Sequence, residues 1–182
     1  MTSKVGLQDS SPQHPNMSDR KSSFWIAPET GRLKMNVDES FLCPSSSGFG
    51  AVLRNDIGTV IAAVFGKSIA SSPIQAEAMA ILNSLEVLSM YKEEDIEVES
   101  DYQNLVQALK TGNLDLVSNA NFLCLDIKLL TEDLAISFNY INRSCNVAAH
   151  ILAKKGLKES RLFVQDPPRW IQDLANQYLI RP

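Results

Sequence analysis

Histidine is almost missing from this chain of 182 residues: His14 and His150 are the only two, and His14 lies in a polar stretch. That excludes three-histidine zinc sites and helices of the HExxH type. Cysteine is scarce as well. Cys43, Cys124 and Cys145 are odd in number, far apart and without paired ligand spacing, which supports neither a disulfide framework nor a zinc finger. No apolar run approaches the length that spans a bilayer, and the N-terminus shows neither the hydrophobic stretch of a signal peptide nor a clear transit peptide. The expectation is an intracellular protein, cytoplasmic or nuclear, with no membrane contact. Positive charge is not in excess either, since the net charge is −4 and the pI is about 5.2. Tight nonspecific binding of a polyanion usually needs a basic footprint. Two readings remain for Lys34, Arg54, Arg143, Lys154, Lys155 and Lys158: a local basic face, or ordinary solvated charges.

What is present is an ordinary globular composition, 45% hydrophobic and 21% charged, long enough for one hydrophobic core. Residues 1–23 are rich in Ser, Pro, Gln and Asn and hold too little apolar surface to offset their ordering entropy, so they are expected to be disordered. A folded domain is expected over residues 24–160. Residues 161–182 read as a tail, broken at Pro167-Pro168 and carrying a short amphipathic helix with Trp170, Leu174 and Tyr178.

Inside the domain, Leu33, Met35, Val37 and Phe41 alternate with polar neighbours, the period of a strand. Phe49–Leu53 and Thr59–Phe65 follow as two more, joined by the turn at Asp56-Ile57-Gly58. Ser72 reads as an N-cap, Pro73 as a first helical residue, and Gln75 completes a capping box. That helix runs to about Tyr91. A short strand over Asp95–Glu99 and a helix stopped by Gly112 come next. Residues 119–133 read as a helix with Phe122, Leu125, Ile127 and Leu129 as candidate core. A fifth strand through Phe138 and a helix over Asn146–Leu157 complete the order. The fold class is α/β, with a mixed five-stranded sheet: an antiparallel meander of three strands, then parallel strands, with helices on the faces.

Three carboxylates sit where burial alone does not explain them. Asp38 lies inside the first strand, where Asp is disfavoured. Glu77 is in the first turns of the capped helix, and Asp101 is at the carboxyl end of the fourth strand, where open α/β sheets place ligand sites. Each has a plainer alternative: helix-dipole stabilisation for Glu77, an N-cap role for Asp101.

The words around these residues resemble the ribonuclease H family. They are Leu33-Lys34-Met35-Asn36-Val37-Asp38, Gly48-Phe49-Gly50-Ala51-Val52-Leu53-Arg54-Asn55, Gln75-Ala76-Glu77-Ala78-Met79-Ala80, Val98-Glu99-Ser100-Asp101 and Asn146-Val147-Ala148-Ala149-His150-Ile151-Leu152-Ala153. The match is closest to plant retroelement-derived, reverse-transcriptase-associated domains and spans Trp25 to Leu157. The resemblance implies two-metal hydrolysis of the RNA strand of an RNA–DNA hybrid, with Mg²⁺ or Mn²⁺. It implies that Asp38 bridges both ions and that Glu77 and Asp101 hold the second. Ser40, Asn146 and Arg143 would contact nucleic acid.

The chain also departs from the family pattern. His150 stands where a fourth acid is expected, and imidazole suits Mn²⁺ or Zn²⁺ better than Mg²⁺. Glu39 replaces the usual Gly after the first Asp, and its charge should repel phosphate. The short stretch between Asp101 and His150 has no room for a basic, hybrid-gripping insertion. Two functions therefore stay open: a ribonuclease H-type enzyme, with His150 among its catalytic residues, or a domesticated module that binds nucleic acid or protein without cutting. A serine hydrolase built on His150 lacks a GxSxG elbow.

Overall fold

The computed structural model describes residues 24–179, so the expected disordered tail 1–23 lies outside the described residues. Strands β1 (Leu33–Cys43), β2 (Ser46–Arg54) and β3 (Val60–Ser68) form the antiparallel meander. After helix α1 (Pro73–Ser89), strand β4 (Ile96–Ser100) pairs parallel to β1. Helices α2 (Gln103–Thr111) and α3 (Asn121–Leu130) lead to β5 (Ile136–Tyr140), parallel to β4. Helix α4 (Val147–Gly156) follows, then strand β6 (Arg161–Val164) and helix α5 (Arg169–Asn176).

The sheet order is β5-β4-β1-β2-β3-β6, six strands rather than the expected five. The addition is β6, antiparallel to β3, formed by a stretch that reads as tail. Only four residues long, it offers too little alternation to stand out from its sequence. No helix among the described residues is long and apolar enough to cross a membrane.

Alternation along β1 divides the interior. Leu33, Met35 and Val37 enter the main core with Ala78, Ile81 and Leu88 of α1 and Leu105 of α2. A second cluster packs α4 and α5 against the other face through Val52, Phe65, Leu152 and Ile171. In α3 only Ile127 of the four expected core residues is buried, with Cys124 beside it; Phe122, Leu125 and Leu129 are exposed.

Lys34 and Arg54 fit neither a basic face nor solvated surface charges, because both are buried. Arg54 stacks on Trp25, 3.4 Å from its ring centroid, and donates to Asn36. Burial lowers its pKa to about 9 against the pull of Glu99. Lys34 pairs with Glu97 at 3.1 Å and Glu99 at 3.2 Å. The two cations are thus partnered interior charges, which burial requires.

Helix α4 approaches the sheet to backbone contact. A Cβ on Gly50 would collide with the Ala153 amide nitrogen and lie 2.6 Å from the Ala149 carbonyl oxygen. Gly50→Ala should therefore cost about 3 kcal/mol through forced separation of α4 from β2. Urea unfolding measures this; a cost under 1 kcal/mol would show that the helix can shift freely.

Candidate metal centre

β1 is longer than its parallel partner. Its ladder with β4 ends at Asn36↔Glu99, while its pairing with β2 runs on past Asp38↔Gly50. Asp38 thus lies just beyond the point where β1 and β4 part. Asp101 follows the last residue of β4. Glu77 reaches the same fork from α1, whose start is fixed by Pro73 and by Ser72 Oγ accepting from Gln75 N at 3.4 Å. One oxygen from each of Asp38, Glu77 and Asp101 lies within 4.8 Å of the others.

The cluster is nearly dry: Asp38 is 2% exposed and Glu77 5%. Burial, then the charges of Asp38, Asp101 and Glu39, pushes the Glu77 carboxyl well above the usual range. Asp101 is raised by burial and by Asp38, while Arg143, a hydrogen bond with Glu77 and His150 pull the other way. Crowding of adjacent buried carboxylates disfavours their full ionisation, and burial weighs most on Glu77. Ser100 Oγ donates to Glu77 Oε2 at 3.4 Å.

His150 reaches the fork from α4. Its Nδ1 lies 2.8 Å from Asp38 Oδ2, and the other Asp38 oxygen accepts the Glu39 N–H at 2.8 Å. Glu39 itself is half-buried, and its Oε2 is buried without a hydrogen-bond partner. Burial and Asp38 raise its pKa to about 7 against Arg143. The charge expected to repel phosphate is therefore partly neutralised at neutral pH.

The expected nucleic-acid contacts separate. Asn146 is 1% exposed, and its Nδ2 donates to the Val37 carbonyl at 2.9 Å. It clamps the start of α4 to β1 and offers no surface to a ligand. Arg143 is 73% exposed in its side chain, with Nε 3.9 Å from Asp101 Oδ2. Ser40 is half-buried on β1 opposite Gly48. Sequence reasoning missed the His150–Asp38 bond, because the spacing of the two residues carries no signal until α4 is docked.

Three acids with raised pKa bind protons more tightly in the fold than in the unfolded chain. Their contribution to stability is present at low pH and is lost as pH rises through the folded values, for Glu39 between about 4.5 and about 7. Metal-free Glu39→Gln and Glu77→Gln proteins should therefore lose less stability than the native chain across that window. At neutral pH, Glu77→Gln should melt about 2–4 °C higher, the effect of about 1 kcal/mol in a domain of this size. Thermal melts in a chelator decide this, and a lower melting point for Glu77→Gln would contradict like-charge crowding.

The family model described as reverse transcriptase-like matches residues 36–156. No curated protein matches the chain significantly. Among solved structures, ribonuclease H1 from the archaeon Halobacterium salinarum is 24% identical with a TM-score of 0.60, covering 70% of this chain and 98% of that one. The compost-metagenome LC11 ribonuclease H1 is 18% identical with a TM-score of 0.64, over 70% and 96% of the two chains. The same protein in complex with an RNA/DNA hybrid is 17% identical with a TM-score of 0.61, over 69% and 96%. These likenesses carry the fold, and the family match covers about two thirds of the sequence. With its carboxylates gathered at the fork of that fold, the chain belongs to the reverse transcriptase-like family of ribonuclease H-like proteins.

Proposed function

We propose that this chain is a metal-dependent ribonuclease acting on the RNA strand of RNA–DNA hybrids. The observation that carries the reading is the convergence of Asp38, Glu77 and Asp101 within 4.8 Å at the strand fork. Three hard carboxylate oxygens gathered in one buried fork fit Mg²⁺ or Mn²⁺. Such ions, when bound, activate the attacking water and stabilise the leaving oxygen of a phosphodiester.

The chain's own residues do the rest. Asp38 orients the imidazole of His150 through the 2.8 Å contact with Nδ1. With that nitrogen donating, Nε2 is left to accept a proton from water or to approach a nitrogen-tolerant metal such as Mn²⁺. Arg143, exposed beside Asp101, is placed to meet a phosphate, and Ser40 lies further along β1. With Asn146 withdrawn into the fold, Arg143 and Ser40 remain the nucleic-acid contacts.

A second reading, a module that binds nucleic acid without cutting, is favoured by two details. His150 engages Asp38 where a fourth acid would complete the site, and Glu39 crowds the same fork.

Cleavage of a labelled RNA–DNA hybrid separates the readings. Native protein should cut weakly in Mg²⁺ and better in Mn²⁺, and His150→Asp should raise the Mg²⁺-supported rate about tenfold by restoring an oxygen donor. Asp38→Asn should lower cleavage in either metal at least about a hundredfold. Hybrid binding without cleavage, by both native protein and His150→Asp, would establish the binding module instead.

A further inference from the structure

The outward face of α3 is apolar where a surface helix is normally polar. Phe122, Leu125, Leu129 and Leu130 are 77%, 50%, 63% and 59% exposed, while Cys124 and Ile127 on the other side are fully buried. At helical spacing, positions 122, 125, 126, 129 and 130 form one stripe. The helix thus carries two apolar faces, and the core uses one. At the start of the stripe, Phe122 also lines a groove of about 290 Å³ with Ile69, Met79 and Leu123, and Ile69 is itself 79% exposed. Single exposed apolar residues are ordinary, but a contiguous patch joined to a groove marks a contact surface.

Charge selects the occupant. Asp126, exposed, sits at the midpoint of the stripe, four residues from both Phe122 and Leu130, and the exposed Glu132 and Asp133 follow α3. Lys128 does not compensate, because its Nζ lies against Gly112, beside a different groove lined by Leu109 and Ile136. A second copy of this chain fits poorly. Two α3 helices crossing antiparallel on a two-fold axis at the stripe's centre would set Asp126 against Asp126, and like charges in a desolvated contact are strongly unfavourable.

We propose that this face of α3 docks an amphipathic helix of a different protein, one with leucine-type side chains at i, i+3, i+4 and i+7 and flanking lysine or arginine. The apolar face covers Phe122, Leu125, Leu129 and Leu130, one anchor enters the groove beside Ile69, and a cation pairs with Asp126. The inference is independent of the metal centre, which uses none of these side chains.

The test is titration of the full chain with a synthetic leucine-patterned helix flanked by lysines, and with its glutamate-flanked counterpart. The lysine peptide should bind, more weakly as salt rises, with NMR shifts at Phe122 and Leu125. Leu125→Ser or Leu129→Ser should weaken it at least about tenfold, and Asp126→Lys should turn the preference toward the glutamate peptide. These positions are exposed, so the variants should keep the native melting temperature, and hybrid cleavage should not change. Equal affinity for both peptides, no binding, or indifference to the α3 variants would overturn the proposal. So would a dimer of the native chain, seen by sedimentation, that Leu125→Ser dissociates.

Discussion

Mutual repulsion of carboxylates at the β1–β4 fork is the constraint around which the rest of this structure is arranged. Asp38, Glu77 and Asp101 arrive there from three separate elements, and Glu39 adds a fourth negative group. Buried like charges raise one another's pKa and work against folding. A protein selected for stability alone would not place them together. The cluster persists because the surrounding elements leave these side chains no other position: β1 is fixed by nine registered partners on β2, α1 by its cap and proline, and Asp101 by the end of β4. Stability is spent at one point and supplied elsewhere, the usual pattern at a working site.

Arg143 and His150 bring partial neutralisation to that point, both pulling the Asp101 carboxyl back down, and the docking of α4 holds the imidazole there. Asn146 ties the first turn of α4 to the Val37 carbonyl, one residue before Asp38. The bare backbone at Gly50 and Gly156 lets the same helix settle against β2 and β3, Gly156 facing the carbonyls of Phe49 and Gly66. Only at that separation can the imidazole one turn into α4 reach Asp38. The interior charges on the other side of Asn36 follow a different logic. Lys34 pairs with Glu97 and Glu99, and Arg54 stacks on Trp25 and donates to Asn36. They balance as a set, whereas the fork is left with excess negative charge that a cation would complete.

The α/β architecture and the converging acids were legible because each rested on local chemistry: alternation in β1, the Ser72-Pro73 cap, Gly112 in the left-handed region at the end of α2. What escaped depended on tertiary docking. Arg54 and Lys34 look like surface charges until Trp25 is seen folded over them. Asn146 looks like a polar contact residue until its amide is found facing a strand carbonyl. In α3 the periodicity signalled a helix but not which of its two apolar faces the core would take. The small, deeply placed Cys124 was the better indicator of the inner face, and β6 was too short to announce itself.

His150 marks the limit of reasoning by resemblance. A carboxylate in its place would add a further negative group to the fork and a hard oxygen for a metal. An imidazole with Nδ1 on Asp38 does the opposite, giving that carboxylate a hydrogen-bonding partner and lessening the crowding. The substitution therefore exchanges affinity for a hard cation against stability of the metal-free fold. Glu39 moves the same balance the other way, returning a half-buried acid to the fork. These two neighbours of Asp38 therefore set the balance of charge at the fork from opposite sides.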